Sequence, residues 1–257
     1  MTRDPKEEVR AQFEGRAPWY VQSRVHQRSE GLLLLLDLAG ASPTESALDV
    51  ATGTGFTAFA LAPSCREVVA VDFTPAMLEE ARRLRHARGI TNVTLCLGDA
   101  EALPFRSGVF HVVTCRHAAH HFPALDKALA EMARVTRPGG RVILDDTCAP
   151  EDDDLATVMN AWERRRDPSH VVNRPPQQLV RLMERSGLHV DAVRMTAVKL
   201  EFDDWVQRSG LPPAQAAALR ADFLSAPPRV RQAFRIRRRG DALHFAWDEI
   251  VVRGVKR

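Results

Sequence analysis

The stretch ALDVATGTGFTA, residues 47–58, constrains the fold more than any other part of the chain. Residues 48–50 predict the end of a short buried strand and residues 56–61 predict the start of a helix, so a tight turn must join them. Gly53 and Gly55 permit positive φ in that turn and leave the backbone open to a ligand, while the helix offers its free N–H groups. We therefore expect an anionic or nucleotide-like ligand on this turn.

Two kinds of ligand fit such a turn. Gly53, Gly55 and Ala58 match the G-x-G-x-x-G/A fingerprint, in which a pyrophosphate sits on the helix N-terminus. Asp49, at the end of the strand, favours instead a ligand that carries an ammonium group, because its carboxylate would repel a pyrophosphate. A tight turn that binds nothing is the remaining alternative.

Length and composition favour one domain with a full core, since the chain has 257 residues of which 45% are hydrophobic. The longest apolar run, residues 32–36, is far shorter than the roughly 20 residues that span a bilayer, and the N-terminus is charged. We expect a cytoplasmic protein without a membrane span. The four cysteines show no C-x-x-C spacing and are expected to be buried thiols rather than metal ligands or disulfides: Cys65, Cys96, Cys115 and Cys148.

The net charge of +3 is modest, and its densest basic run is RIRRR at residues 235–239, followed by Gly240. The alternation predicts a solvated strand that enters a hairpin turn. Contact with nucleic acid is the alternative for this run, and we do not expect a nucleic-acid partner.

Two acidic residues follow the next two predicted strands. Residues 68–71 predict a buried strand that ends in Asp72, which is placed to accept hydrogen bonds from ribose hydroxyls, and Phe73 could lie against an adenine. After the strand at residues 93–97, Asp99 could accept the exocyclic amine of adenine while backbone N–H groups such as that of Ala100 meet the ring nitrogens.

Three histidines follow the fourth predicted strand, in the run RHAAHHF at residues 116–122. They would lie at the carboxyl edge of the sheet, where α/β proteins bind and transform ligands. We expect His120 or His121 to contact a substrate or to move a proton, with structural hydrogen bonding as the alternative. A metal site would need a reliable fourth ligand, so no metal is predicted.

Three further segments should approach the same edge. A short polar helix at 5–18 and a helical segment at 19–40 precede the first strand, which makes Tyr20 and His26 candidate pocket residues, with ordinary packing as the alternative. An insertion at 149–175 follows the fifth strand and carries Arg166, Asp167 and His170, which could touch a substrate or form surface ion pairs. Residues 203–234 add a second helical excursion.

The alternation of strand and helix holds five times up to residue 145, which predicts a parallel sheet with helices on both faces. A last strand at 243–252 is expected to run antiparallel. The fold class is therefore α/β, a doubly wound and mostly parallel sheet.

Taken together, DVATGTGFTA, VVAVDFTPAML, LGDAEALPF and RPGGRVIL resemble the successive motifs of the class I S-adenosylmethionine-dependent methyltransferases over about residues 44–146. The chain is most similar to small bacterial enzymes related to the ubiquinone and menaquinone C-methyltransferases. GRAPWYVQS, RHAAHHF and RDPSHV resemble an uncharacterised subgroup that acts on small molecules. Ala51 replaces the commoner first glycine of the loop, and alanine fits there if its φ is negative.

The resemblance implies a seven-stranded Rossmann-like sheet and one methyltransferase domain over 1–257. Its parts would be a helical lid (1–40), a cofactor-binding core (41–148) and substrate-side insertions (149–175 and 203–240). The cofactor would be S-adenosyl-L-methionine. The residues expected to bind it are Asp49, Ala51, Thr52, Gly53 and Gly55 for the methionine part, Asp72 for the ribose, Phe73, Met77, Asp99 and Ala100 around the adenine, and Cys115 or Arg116 beside the sulfonium.

The implied reaction is an in-line transfer of the methyl group to a small-molecule acceptor. If a base is needed, His121 or His120 is expected to serve, and Tyr20 next. The residues expected on the acceptor side are Trp19, His26, Phe122, Trp162 and His170, with Trp205 as a further aromatic wall. An RNA or protein methyltransferase, a nicotinamide-dependent oxidoreductase and a catalytically idle cofactor-binding protein are the alternatives, and the oligomeric state is left open, a homodimer being one candidate.

Overall fold

The computed structural model describes residues 5–17, 19 and 29–257. The predictions for Tyr20 and His26 lie outside these residues. Among the described helices, none has both the length and the apolar character needed to cross a bilayer.

The chain builds one sheet from eight strands. They are β1 (Ser46–Val50), β2 (Glu67–Asp72), β3 (Val93–Leu97), β4 (Phe110–Arg116), β5 (Thr136–Cys148), β6 (Leu188–Glu201), β7 (Arg237–Arg239) and β8 (Ala242–Lys256). The order is β3-β2-β1-β4-β5-β8-β6, with β7 paired to β8. Pairs among β1 to β5 are parallel, while β8 runs antiparallel to its three neighbours. The predicted α/β class is confirmed, and the exposed basic run forms the hairpin strand β7 beside a seven-stranded path.

Ten α-helices have both ends in the described residues. They are α1 (Pro5–Glu14), α2 (Glu30–Ala39), α3 (Phe56–Leu61), α4 (Pro75–Ala87), α5 (Leu125–Val135), α6 (Asp153–Arg166), α7 (Pro176–Arg185), α8 (Phe202–Ser209), α9 (Pro213–Ser225) and α10 (Pro228–Ala233). The leucine-rich α2 begins after Ser29, whose side chain accepts from the N–H of Leu32, and it ends at Gly40 in the left-handed region.

The sheet is buried on both faces, as its continuous apolar strands require. Every residue of β1 is buried, and β4 is buried except at His111. Because β1 to β5 are parallel, their carboxyl ends meet at one edge, which brings together the loops after Val50, Asp72, Leu97 and Arg116.

The two helical excursions form a second core on β6 and β8. Trp162 of α6 stacks on Phe223 of α9 with the ring centroids 4.0 Å apart, and both pack with Trp205 and Trp247. This aromatic cluster accounts for most of the large rings in the insertions and holds them on the sheet.

Candidate active site

A cavity lies at the carboxyl edge of the sheet, between the loops after β1, β2, β3 and β4, with α1 along one side. Eleven of the residues expected to bind a cofactor or an acceptor line it: Ala51, Thr52, Gly53, Asp72, Phe73, Met77, Asp99, Ala100, Arg116, His121 and Phe122. The sheet topology thus brings together side chains from four separate loops.

The turn after β1 is left-handed at three positions. Gly53 has φ +54° and Gly55 has φ +90°, which is the conformation that glycine adopts without penalty. A Cβ at Gly53 would meet no atom within 4 Å, so the loop backbone is open, whereas a Cβ at Gly55 would lie 2.5 Å from the Phe59 ring. The two glycines therefore have different tasks: Gly53 leaves room for a ligand and Gly55 leaves room for α3.

Ala51 departs from the sequence-based expectation. Its φ is +53°, in the left-handed region, whereas the fit of alanine at this position was expected to depend on a negative φ. The Cβ of an L-residue crowds the following carbonyl there, which costs about 1–2 kcal/mol. The loop keeps its glycine-like shape, and the rest of the fold offsets that strain.

Asp72 organises the same loop from the neighbouring strand. Its Oδ2 accepts a hydrogen bond from the N–H of Gly53 at 2.8 Å, and its Oδ1 accepts from the N–H of Thr74 at 2.9 Å. The side chain is only 6% exposed, and burial raises the pKa of its carboxyl. Each carboxylate oxygen keeps a second lone pair, which suits two ligand hydroxyl groups.

Asp49 supports the loop from below and does not line the cavity. It accepts from the hydroxyl groups of Thr52 at 2.6 Å and Thr114 at 2.8 Å, and burial raises its pKa to about 6. Its route to a ligand therefore runs through Thr52, which does line the cavity.

Helix α1 lies against the cavity with Lys6, Val9 and Phe13. Lys6 Nζ contacts both Asp99 Oδ2 and Glu101 Oε2 at 2.6 Å. The sequence predicts a polar helix in a lid here but no cavity residue on it, yet the three residues share one helical face at spacings of three and four. That pattern, with Val9 and Phe13 amid charged residues, could have identified it.

His117 and His121 line the cavity, whereas His120 lies behind it. His120 donates from Nδ1 to Asp146 Oδ1 at 2.6 Å and from its backbone N–H to Asp146 Oδ2 at 2.9 Å. Burial opposes the charged imidazolium, but the Asp146 carboxylate outweighs it and raises the pKa of His120. His120 and His121 pack with their ring centroids 4.2 Å apart.

His117 belongs to a buried acidic cluster that sequence reasoning missed. Its Nε2 lies 2.6 Å from Glu249 Oε1, and Asp145 completes the group, in which a ring nitrogen of His117 and one carboxylate oxygen from each acid all lie within 4.8 Å of one another. Burial and the Glu249 charge raise the pKa of Asp145 well above its usual range. The pKa of Glu249 is lowered instead, so of the two buried carboxyl groups Asp145 is the one whose ionisation is disfavoured.

The insertion after β5 packs on the histidine loop, as its position in the sequence predicts. The backbone N–H groups of Val171 and Val172 both point at the His120 carbonyl, at 2.9 and 3.2 Å. His121 Nδ1 lies 3.0 Å from the Ser169 carbonyl oxygen. The hydrogen bonds of this insertion therefore determine how the histidines are held.

Several predicted site residues lie away from the cavity. Cys115 is fully buried in the sheet core, and of the four thiols only Cys96 is partly exposed. Trp162 belongs to the aromatic cluster, Trp19 is 43% exposed, and His170 is buried with its Nε2 2.9 Å from Asn160 Oδ1. Gly55 is likewise not a lining residue.

Comparison with known proteins shows the family. Residues 48–144 match the family described as methyltransferase domain. The chain is 32% identical over 247 residues to the uncharacterised methyltransferase YcgJ of Bacillus subtilis, covering 95% of this chain and 98% of that protein. The crystal structure of YcgJ superposes with a TM-score of 0.84 over 88% of this chain and 98% of that chain.

Other relatives are similar over shorter stretches. The uncharacterised protein YafE of Escherichia coli is 34% identical, over 76% of this chain and 92% of that protein. A demethylmenaquinone methyltransferase of Renibacterium salmoninarum is 34% identical, over 65% of this chain and 70% of that protein. Three more distant structures, 16% to 17% identical with TM-scores of 0.57 to 0.62, contain S-adenosylmethionine or S-adenosylhomocysteine and share the fold.

Proposed function

Since the chain belongs to the methyltransferase family, we propose that it transfers a methyl group from S-adenosylmethionine to a small-molecule acceptor. The observation that carries this proposal is the single cavity in which the open glycine loop, Asp72 and Asp99 share a wall with His121 and Phe122. A cofactor half and an acceptor half thereby adjoin each other.

The residues of the cavity fit S-adenosylmethionine, a cofactor that carries no phosphate. The open backbone at Gly53 would hold the amino-acid end, Asp72 the ribose hydroxyls, and Asp99 with Ala100 the adenine. Asp49 acts through Thr52. Arg116, whose Nε donates to Thr57 Oγ1 at 2.9 Å, stands at the end of β4 beside the position proposed for the sulfonium.

The cofactor supplies a methyl group that is already electrophilic, so the protein has three tasks: alignment of the acceptor, exclusion of water and removal of a proton. Phe13 and Phe122 give the acceptor side flat apolar surfaces, and α1 covers that side from solvent. We infer that the acceptor is a flat, largely apolar molecule. One of the relatives is named a demethylmenaquinone methyltransferase, and demethylmenaquinone is an acceptor of this kind.

Calorimetric titration with S-adenosylhomocysteine tests the cofactor half, with NAD⁺ as the competing ligand. We expect binding of the first and no binding of the second, because Asp49 and the Asp99 loop disfavour a pyrophosphate. Binding of NAD⁺ alone would overturn the proposal. Release of S-adenosylhomocysteine in the presence of flat aromatic acceptors then tests the transfer itself.

A further inference from the structure

The wall behind His121 is built by three buried groups of the insertion. His121 Nδ1 lies 3.0 Å from the carbonyl oxygen of Ser169 and 3.2 Å from its Oγ. Ser169 Oγ in turn lies 2.5 Å from Asp167 Oδ1, which also accepts the backbone N–H of Ser169 at 2.9 Å. Ser169 is 2% exposed and Asp167 is fully buried.

These partners determine which nitrogen of His121 carries the hydrogen. A carbonyl oxygen can only accept, and the Ser169 hydroxyl uses its own hydrogen on the Asp167 carboxylate. Both groups that face Nδ1 are therefore acceptors, so Nδ1 must be the donor. Nε2 is left with its lone pair, and it has no hydrogen-bond partner among the described residues.

Burial and the charge on His120 together keep the His121 ring neutral. Burial, and after it the charge on His120, lower the pKa of His121 to about 4, against the opposing charges of Asp167 and Asp146. The same two causes keep the neighbouring His170 neutral. Phe13 of α1 packs edge-on against the His121 ring, with the centroids 5.0 Å apart, so no charge from that helix faces the ring at this contact.

We propose that Ser169 and Asp167 are positioning residues that hold His121 as its Nδ1–H tautomer, so that Nε2 takes the proton of a hydroxyl group on the methyl acceptor. This inference rests on the proposed function. In the step, the hydroxyl oxygen bonds to the methyl carbon, the electron pair of the broken S–C bond stays on sulfur, and the hydroxyl proton passes to Nε2.

The weak basicity of His121 selects the acceptor chemistry. If a hydroxyl oxygen gains a methyl group and keeps its hydrogen, the product is a positively charged oxonium. This oxonium is a far stronger acid than the His121 imidazolium, so the proton moves readily to Nε2. A methylated aliphatic amine is a far weaker acid and would keep its hydrogen. The site is therefore suited to hydroxyl acceptors and gives aliphatic amines no comparable help.

Nitrogen-15 NMR of the histidine rings tests the tautomer without any acceptor, on the full chain with S-adenosylhomocysteine present. His121→Gln assigns the signal. From about pH 6 to pH 8 we expect Nδ1 to be protonated and Nε2 not. A protonated Nε2 in the wild-type protein overturns the proposal. Asp167→Ala should raise the Nε2–H population, whereas Asp167→Asn, which keeps an acceptor oxygen for Ser169, should not.

Phenolic acceptors test the chemistry, with release of S-adenosylhomocysteine as the readout. We expect turnover of phenols, a flat kcat/KM between about pH 6 and pH 8, and a loss of about 10²-fold or more in kcat for His121→Ala and His121→Gln. The dissociation constant for S-adenosylhomocysteine should stay within about threefold. An unchanged kcat in His121→Ala overturns the proposal, while failure to bind the cofactor product overturns the proposed function instead.

Discussion

Replacing Asp72 by alanine removes the group that joins the glycine loop to the proposed ribose position. In the structure this buried carboxylate accepts the backbone N–H groups of Gly53 and Thr74, one on each oxygen, and it lines the cavity. The variant loses both hydrogen bonds and both remaining ligand-facing lone pairs. We expect two separate consequences, one for stability and one for affinity.

The expected magnitudes follow from the hydrogen bonds. A hydrogen bond to a charged group contributes about 1.5–3 kcal/mol, so two lost contacts to ribose hydroxyls amount to about 3–6 kcal/mol. Since about 1.4 kcal/mol is a factor of ten, affinity for S-adenosylhomocysteine should fall by at least about a hundredfold. The two orphaned N–H groups should also lower the free energy of unfolding, by about 1–3 kcal/mol each unless water replaces the carboxylate.

Isothermal titration calorimetry measures the affinity and urea unfolding measures the stability. Glu67→Ala is the matched control, because Glu67 begins the same strand, is exposed, and among the described residues forms an ion pair with Arg66 alone. It should leave the affinity within about twofold. If Asp72→Ala binds S-adenosylhomocysteine within about threefold of wild type while folded, the assignment of Asp72 to the ribose is refuted.

Three further changes test the backbone and the buried acids. Gly55→Ala should lower the free energy of unfolding by at least about 2 kcal/mol in urea titration, because φ is +90° and the new Cβ would overlap the Phe59 ring; a loss near zero would contradict the loop geometry. Ala51→Gly should raise the free energy of unfolding by up to about 1 kcal/mol, because the relief of backbone strain is partly offset by the greater entropy of glycine in the unfolded chain. A clear loss of stability would show that Ala51 is unstrained. Asp145 has a raised native pKa, so its contribution to stability is present below the unfolded pKa and is lost as pH rises. Asp145→Asn should therefore become more stable relative to the wild type as pH rises above the unfolded pKa, by about 1.4 kcal/mol per pH unit until the native pKa is reached. Equal gains at pH 4 and pH 8 would count against the raised pKa of Asp145.

Much of the fold could be predicted because its signals are local. The strands of the parallel half are short apolar runs, and each ends in a turn or a polar residue, so Asp72 and Asp99 could be placed at one edge without coordinates. The crossover rule then predicts which ends of the strands meet.

The remaining features depend on contacts between distant parts of the chain. Glu249 reaches Asp145 because β8 pairs antiparallel with β5 in a register that sets Val251 opposite Asp145 and Glu249 opposite Thr147. Ser169 reaches His121 because the insertion folds back on the His120 carbonyl. Neither the register nor the fold of the insertion follows from local periodicity. The aromatic residues of the insertions were expected at the acceptor, but Trp162 and Trp205 fill the second core instead.

Helix α1 bears on how ligands enter and leave the cavity. Lys6 and Phe13 are seven residues apart, roughly 10 Å along the helix axis, so one helix borders both the proposed adenine end and the histidine end of the cavity. Gln12 and Arg16 tether the same segment to the backbone at Ser209 and Gly210. We therefore expect the release of ligands on this side of the cavity to involve the undocking of this helix.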